Sequence, residues 1–275
     1  MDRDQRIKEG QVIGGKTVSV YIQNFLKFRP LLMELVTRDI KTKYRRSILG
    51  VLWTLLNPLL MMLVLSVVFS HIFKFQVENY PLYILSGQVV FNFFSESTSS
   101  AMSSIINNAP LIKKVYIPKY LFTLSRVASS VVNVMASFCA LIVVMVFSDI
   151  ELNFTVLLLV VPMIILVIFS TGIGLLLATI AVKFRDIIHL YGVLITALTY
   201  LTPVIYPISI LPAKIRFFVE LNPLTGILNM FRNLMFYNTL PTVGQLLTSV
   251  LIAIFTFLLG LFVFYKNQDK FILNI

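Results

Sequence analysis

Apolar residues in this chain run on without the period-two alternation of a strand or the one-sided stripe of a surface helix. Crossing a hydrocarbon core takes about 20 residues at a helical rise of about 1.5 Å each, and six stretches are that long: 50–73, 80–106, 120–147, 154–182, 187–206 and 243–265. Barrel strands alternate over about ten residues, which these runs do not do. The pattern therefore predicts an all-α, polytopic membrane protein with six transmembrane helices.

Two segments depart from that rhythm. Between the fifth and sixth spans, 208–221 and 224–236 are apolar but each too short to cross, and Asn222-Pro223 separates them. They predict a re-entrant outer helical pair, with interfacial helices as the competing reading. Near the amino end, Phe28, Leu31, Leu32, Leu35, Val36, Ile40 and Tyr44 recur at helical spacing among Lys and Arg. This predicts an amphipathic helix on the cytoplasmic face within 25–49, after a tail at 1–24 and ahead of a transmembrane domain at 50–275. A plain positive anchor for the first span needs only the same charges.

Composition sharpens the class. With 58% hydrophobic and 13% charged residues, and a mean hydropathy of +0.90, the chain would expose a very large apolar surface in water. The formal charge of +11 is not a nucleic-acid footprint, because its positions follow the membrane. Eleven Lys and Arg precede the first span; the second-to-third connection holds three, the fourth-to-fifth two and the carboxyl tail two. The opposite connections hold four, so both termini are expected in the cytoplasm of a multi-pass inner (plasma) membrane protein. Cys139 is the sole cysteine and is expected to be an inert packing residue, which excludes a disulfide framework within one chain.

Candidate chemistry is sparse. Residues 10–17 (GQVIGGKT) fit the phosphate-loop pattern, but the preceding MDRDQRIKE is too charged to be the buried strand such a loop requires. No catalytic, cofactor or metal residues are assigned, and His71 and His189 are expected at opposite faces. Glu96 and Arg126 lie near membrane depth, where an ionisable side chain needs a cavity or a partner. The hydroxyl-rich stretch around Glu96, with Gly172 and Gly174, reads as close helix packing.

Four ordered motifs resemble one family. DIKTKYRRSILGVLWTLLNP at 39–58, KKVYIPK at 113–119, KFRDI at 183–187, and PVIYP at 203–207 with LNPL at 221–224 are similar to segments of ABC-2 type permeases exporting O-antigen, teichoic acid and related polysaccharides. The resemblance covers roughly residues 25–275; residues 1–24 have no counterpart. It implies a homodimer joined to two copies of a cytoplasmic ABC ATPase subunit, which would hold the ATP and Mg. Leu35, Arg38, Asp39 and Lys41, with Asn108, Pro110, Lys113 and Lys114, would then couple to that ATPase. Lys41, Lys43, Arg45 and Arg46 would attract the phosphates of a lipid-linked glycan, or equally anionic membrane lipids. Trp53, Tyr200 and Tyr206 would stack on sugar along the conduit. Pro207, Asn222, Pro223 and Arg232 would form an outer gate. The rival expectations are an ABC-2 exporter of a drug, lipid or peptide, an isolated channel and, from another class, a membrane-embedded glycosyltransferase or polyprenyl-phosphate enzyme, which would need paired acids or a metal at one face.

Overall fold

The computed structural model describes residues 26–45, 47–50, 52–73, 77, 79–115, 117–148 and 153–274. The tail at 1–24, the phosphate-loop match within it and Arg46 lie outside the described residues. Every regular element among those described is helical: α1 (Arg29–Tyr44), α2 (Leu52–Phe73), α3 (Tyr80–Met102), the short turns α4 (Ser104–Asn107) and α5 (Ala109–Ile112), α6 (Tyr120–Val146), α7 (Val160–Lys183), α8 (Ile187–Leu201), α9 (Ala213–Leu221), α10 (Pro223–Phe236), α11 (Val243–Asn267) and the closing turn α12 (Phe271–Asn274).

Among the described residues, four helical units are long and apolar enough to cross a membrane: Leu52–Ser70, Tyr120–Val146, Phe154–Lys183 and Val243–Asn274. The chain is thus a multi-pass membrane protein. Two of the expected spans differ from these. The 23-residue α3 is diluted by Gln88, Asn92, Glu96 and a run of hydroxyls, and it is sheltered by α2, α6 and α7 rather than facing lipid alone. The 15-residue α8 reaches only about 22 Å. It stops at Leu201, short of the expected 206, because Thr202 precedes Pro203 and takes an extended backbone (φ −104°, ψ 131°).

Small residues set the tightest packing. At Gly260 an added Cβ would stand 2.3 Å from the Gly172 carbonyl oxygen, so α7 and α11 touch backbone to backbone. At Gly174 it would stand 2.7 Å from the Ala101 Cβ, so α3 also packs closely on α7. The expected close approach at both predicted glycines is therefore present. Most hydroxyls of α3 also serve packing, donating back to their own helix as Thr98 does to the Phe94 carbonyl at 2.6 Å and Ser100 to that of Glu96 at 2.5 Å. Cys139, by contrast, is exposed on α6 rather than packed in the core.

An apolar cluster joins α1 to the ends of α6, α7 and α11. Leu35 of α1 is 4% exposed and packs with Ile105, Ile112, Phe122, Phe264 and Phe271. The amphipathic helix predicted from the sequence is thus held firmly against the spans by its apolar face.

Candidate functional site

Polar side chains gather at the α1 end. Asp39, whose side chain is 6% exposed, lies 3.4 Å from the Arg126 Nε and 3.1 Å from an Arg38 guanidinium nitrogen. Arg38 also donates to Asn108 Oδ1 at 2.9 Å, and Asn108 Nδ2 donates to the Ser104 carbonyl at 2.8 Å. Glu96 Oε1 accepts from Lys43 Nζ and from Asn133 Nδ2, both at 2.7 Å. These contacts tie α1 to α3, α6 and the turn between α4 and α5, around a cavity of about 450 Å³. Burial lowers the Lys43 pKa, but the hydrogen bond and charge of Glu96, aided by Tyr44, outweigh it and leave it raised.

Beyond Lys43 and Glu96 the space opens into a groove of about 760 Å³ between α2, α3, α6 and α8. Its walls mix rings and amides: Trp53 and Tyr200 with Asn57, Gln88 and Asn92. Lys43, Glu96, Ser130 and Asn133 border both spaces and form the partition between them. Trp53 and Tyr200, remote in sequence, therefore share one groove. Tyr206, also expected along the conduit, does not line it, and its hydroxyl donates to the Tyr200 carbonyl at 2.5 Å.

At the far end the irregular segment 202–207 ends the groove, with Val204 and Ile205 in its wall. Irregular backbone that is buried, as at Thr202 and Val204, needs protein donors for its carbonyls, and side chains supply them. Arg232, 5% exposed on α10, donates to the carbonyls of Pro203 (2.7 Å), Val204 (3.0 Å) and Tyr83 (3.1 Å) and to Ser86 Oγ (3.3 Å). Its guanidinium carbon lies 3.5 Å from the centre of the Tyr83 ring. The hydroxyls of Tyr80 and Tyr83 donate to the Ile205 and Tyr206 carbonyls at 2.8 and 3.0 Å. Asn222 caps α10 through the Leu224 amide and donates to Thr202 Oγ1, both at 3.0 Å. Gly87 makes the approach feasible, since a Cβ there would stand 2.8 Å from both the Arg232 guanidinium and the Val204 oxygen.

Residues 30–236 match the ABC-2 type transporter family. This chain belongs to that family. It is 27% identical over 252 residues to an O-antigen export system permease protein, RfbA, of Myxococcus xanthus, covering 91% of this chain and 97% of the relative. A capsule polysaccharide export inner-membrane protein, BexB, of Haemophilus influenzae is 26% identical over 241 residues, 86% of this chain and 90% of its own. The polysialic acid transport protein KpsM of Escherichia coli is 22% identical over 243 residues, 87% and 94% of the two chains.

Within this ABC-2 transporter the sequence-predicted residues divide by exposure. Pro110, Lys113 and Lys114 are exposed beside α1, as are Lys41 and Arg45. Leu35, the Asp39 side chain and Asn108 are enclosed, so they fix the position of α1 and present no surface outward. Of the expected gate residues, Arg232 and Asn222 grip the 202–207 segment directly, while Pro207 and Pro223 stand at its end and at the start of α10. The groove amides Asn57, Gln88 and Asn92 went unpredicted. Their signal was present in the sequence as amides inside apolar runs, which are costly in a membrane unless they have a use.

Proposed function

We propose that this chain is the membrane conduit of an ATP-driven exporter of a lipid-linked polysaccharide or teichoic acid, working as a homodimer with two copies of a cytoplasmic ABC ATPase subunit. ATP and Mg belong to those subunits. The observation that carries the reading is the groove in which Trp53 and Tyr200 stand among amides and which opens beyond a cavity lined by Arg38, Lys43 and Arg126 with Asp39 and Glu96. Flat rings offer stacking to the C–H faces of sugars, amides offer hydrogen bonds to their hydroxyls, and lysine and arginine suit phosphate oxygens. The family membership and the polysaccharide exporters among the relatives support the same substrate class.

In this reading α2, α3, α6, the unit at 154–183, α8 with 202–207, and α11 make six crossings, and α9 and α10 form the re-entrant outer pair. The Lys and Arg distribution supports cytoplasmic termini. Lys41, Lys43 and Arg45, together with Arg46, draw the phosphates of the carrier to the inner mouth. Exposed Pro110, Lys113 and Lys114, with α1, receive the push of ATP-driven closure. Arg232, Asn222, Pro207 and Pro223 hold the outer segment shut between translocation events. Depleting the protein and localising its glycan tests the proposal. Finished polymer is expected to accumulate on the cytoplasmic side, and undiminished surface display without a substitute transporter would refute it.

A further inference from the structure

Gln88 stands apart among the groove amides. It is 6% exposed, yet it lines the groove that holds Trp53 and Tyr200, and its buried Oε1 accepts no hydrogen bond among the described residues. A buried amide oxygen without a donor is a free-energy cost that a folded protein does not carry without a reason. Of the polar side chains that share the groove, Glu96 and Asn133 are engaged with each other and with Lys43. Gln88 also follows Gly87, over whose bare Cα the Val204 segment passes.

We infer that Gln88, flanked by Asn57 and Asn92, is a hydroxyl-recognition subsite for a saccharide unit, placed at the threshold of the segment that Arg232 holds. Its unpartnered oxygen takes an O–H donor, while the Trp53 and Tyr200 rings offer the stacking surface for the same unit. A purely apolar or lipidic cargo has no hydroxyl to offer and leaves the cost in place. This assignment rests on the export reading and adds the residue that selects a polyhydroxylated cargo within it.

Trp53 is the only tryptophan of the chain, so it reports on this groove. The transporter complex in lipid nanodiscs, with Trp53→Phe complex as the blank, is titrated with size-fractionated oligosaccharides released by mild acid from the cell's own exported polysaccharide. Wild type is expected to show a saturable change in Trp53 emission. Gln88→Leu is expected to weaken binding about five- to tenfold, the worth of one net hydrogen bond. Gln88→Asn, which keeps a neutral amide, is expected to stay within about threefold of wild type. Should Gln88→Leu fail to assemble, the Gln88→Asn result decides alone, because loss of the response as complete as in the Trp53→Phe blank contradicts an amide role. A wild-type response with an unchanged Gln88→Leu midpoint overturns the Gln88 assignment and leaves the export reading standing. Absence of any wild-type response overturns both.

Discussion

The two ends of the groove solve the same problem, a charge inside a membrane protein, in opposite ways. At the α1 end cations meet carboxylates: Lys43 with Glu96, and Arg38 and Arg126 with Asp39. At the far end Arg232 has no carboxylate beside it among the described residues; its charge is spread over three carbonyls, one hydroxyl and the Tyr83 ring. Ion pairs between half-exposed side chains exchange partners at little cost and weaken with salt. A buried guanidinium fanned over fixed dipoles has no equally good second arrangement. The Lys43–Glu96 pair is therefore suited to re-pair as α1 moves or an anion arrives, and the far end to hold one geometry until it is forced open.

That contrast can be broken most severely at Arg232. Arg232→Ala leaves the Pro203, Val204 and Tyr83 carbonyls without their donor, and a loss on the order of 3 kcal/mol or more is expected in thermal unfolding of the purified protein. Arg232→Lys keeps the charge without the planar fork and is expected to recover less than half of that. An Arg232→Ala protein as stable as wild type would remove the rigid half of the comparison.

Asp39→Asn comes next, at about 1–3 kcal/mol, because an amide cannot balance Arg126 and Arg38 where the Asp39 side chain is 6% exposed. Its signature is a second effect: α1 should gain hydrogen exchange while the segment at 202–207 does not. Equal loosening at both ends would show that they are not independent.

Smallest is the Lys43–Glu96 pair, with side chains 48% and 39% exposed. A double-mutant cycle of Lys43→Met and Glu96→Gln is expected to give a coupling of no more than about 1 kcal/mol, fading as salt rises. Its pH dependence has a defined sign. The folded Lys43 pKa is raised, so the contribution is complete below the ordinary lysine value of 10.5 and disappears as pH rises through the higher folded one. A cycle indifferent to both salt and alkali would contradict the exchangeable pair.

Some of this geometry was legible beforehand because it depends on local chemistry. Gly172 and Gly174 announced close helix contacts, since only the absence of a side chain permits them. Leu35 and its apolar neighbours announced a helix lying on the bundle. The stop of α8 at Leu201 could have been read from Thr202-Pro203, yet the apolar run through Val204 and Ile205 concealed it. Gln88 gave a signal of type without address, because an amide in an apolar run shows that a partner is needed and not which one.

The sequence alone determined the solvent and the secondary structure: long apolar runs can be satisfied in lipid only as helices, and the motifs at 39–58, 113–119, 183–187 and 203–224 carried the family. Only the tertiary structure decided that Lys43 meets Glu96 53 residues away, that Arg232 reaches carbonyls 28 and 29 residues before it, and that Trp53 and Tyr200 face one groove. Hydropathy registers how apolar a residue is, whereas these pairings depend on the register and rotation at which packed helices come to rest. Those are fixed by contacts such as the bare backbones of Gly172 and Gly260, which no single run of residues contains.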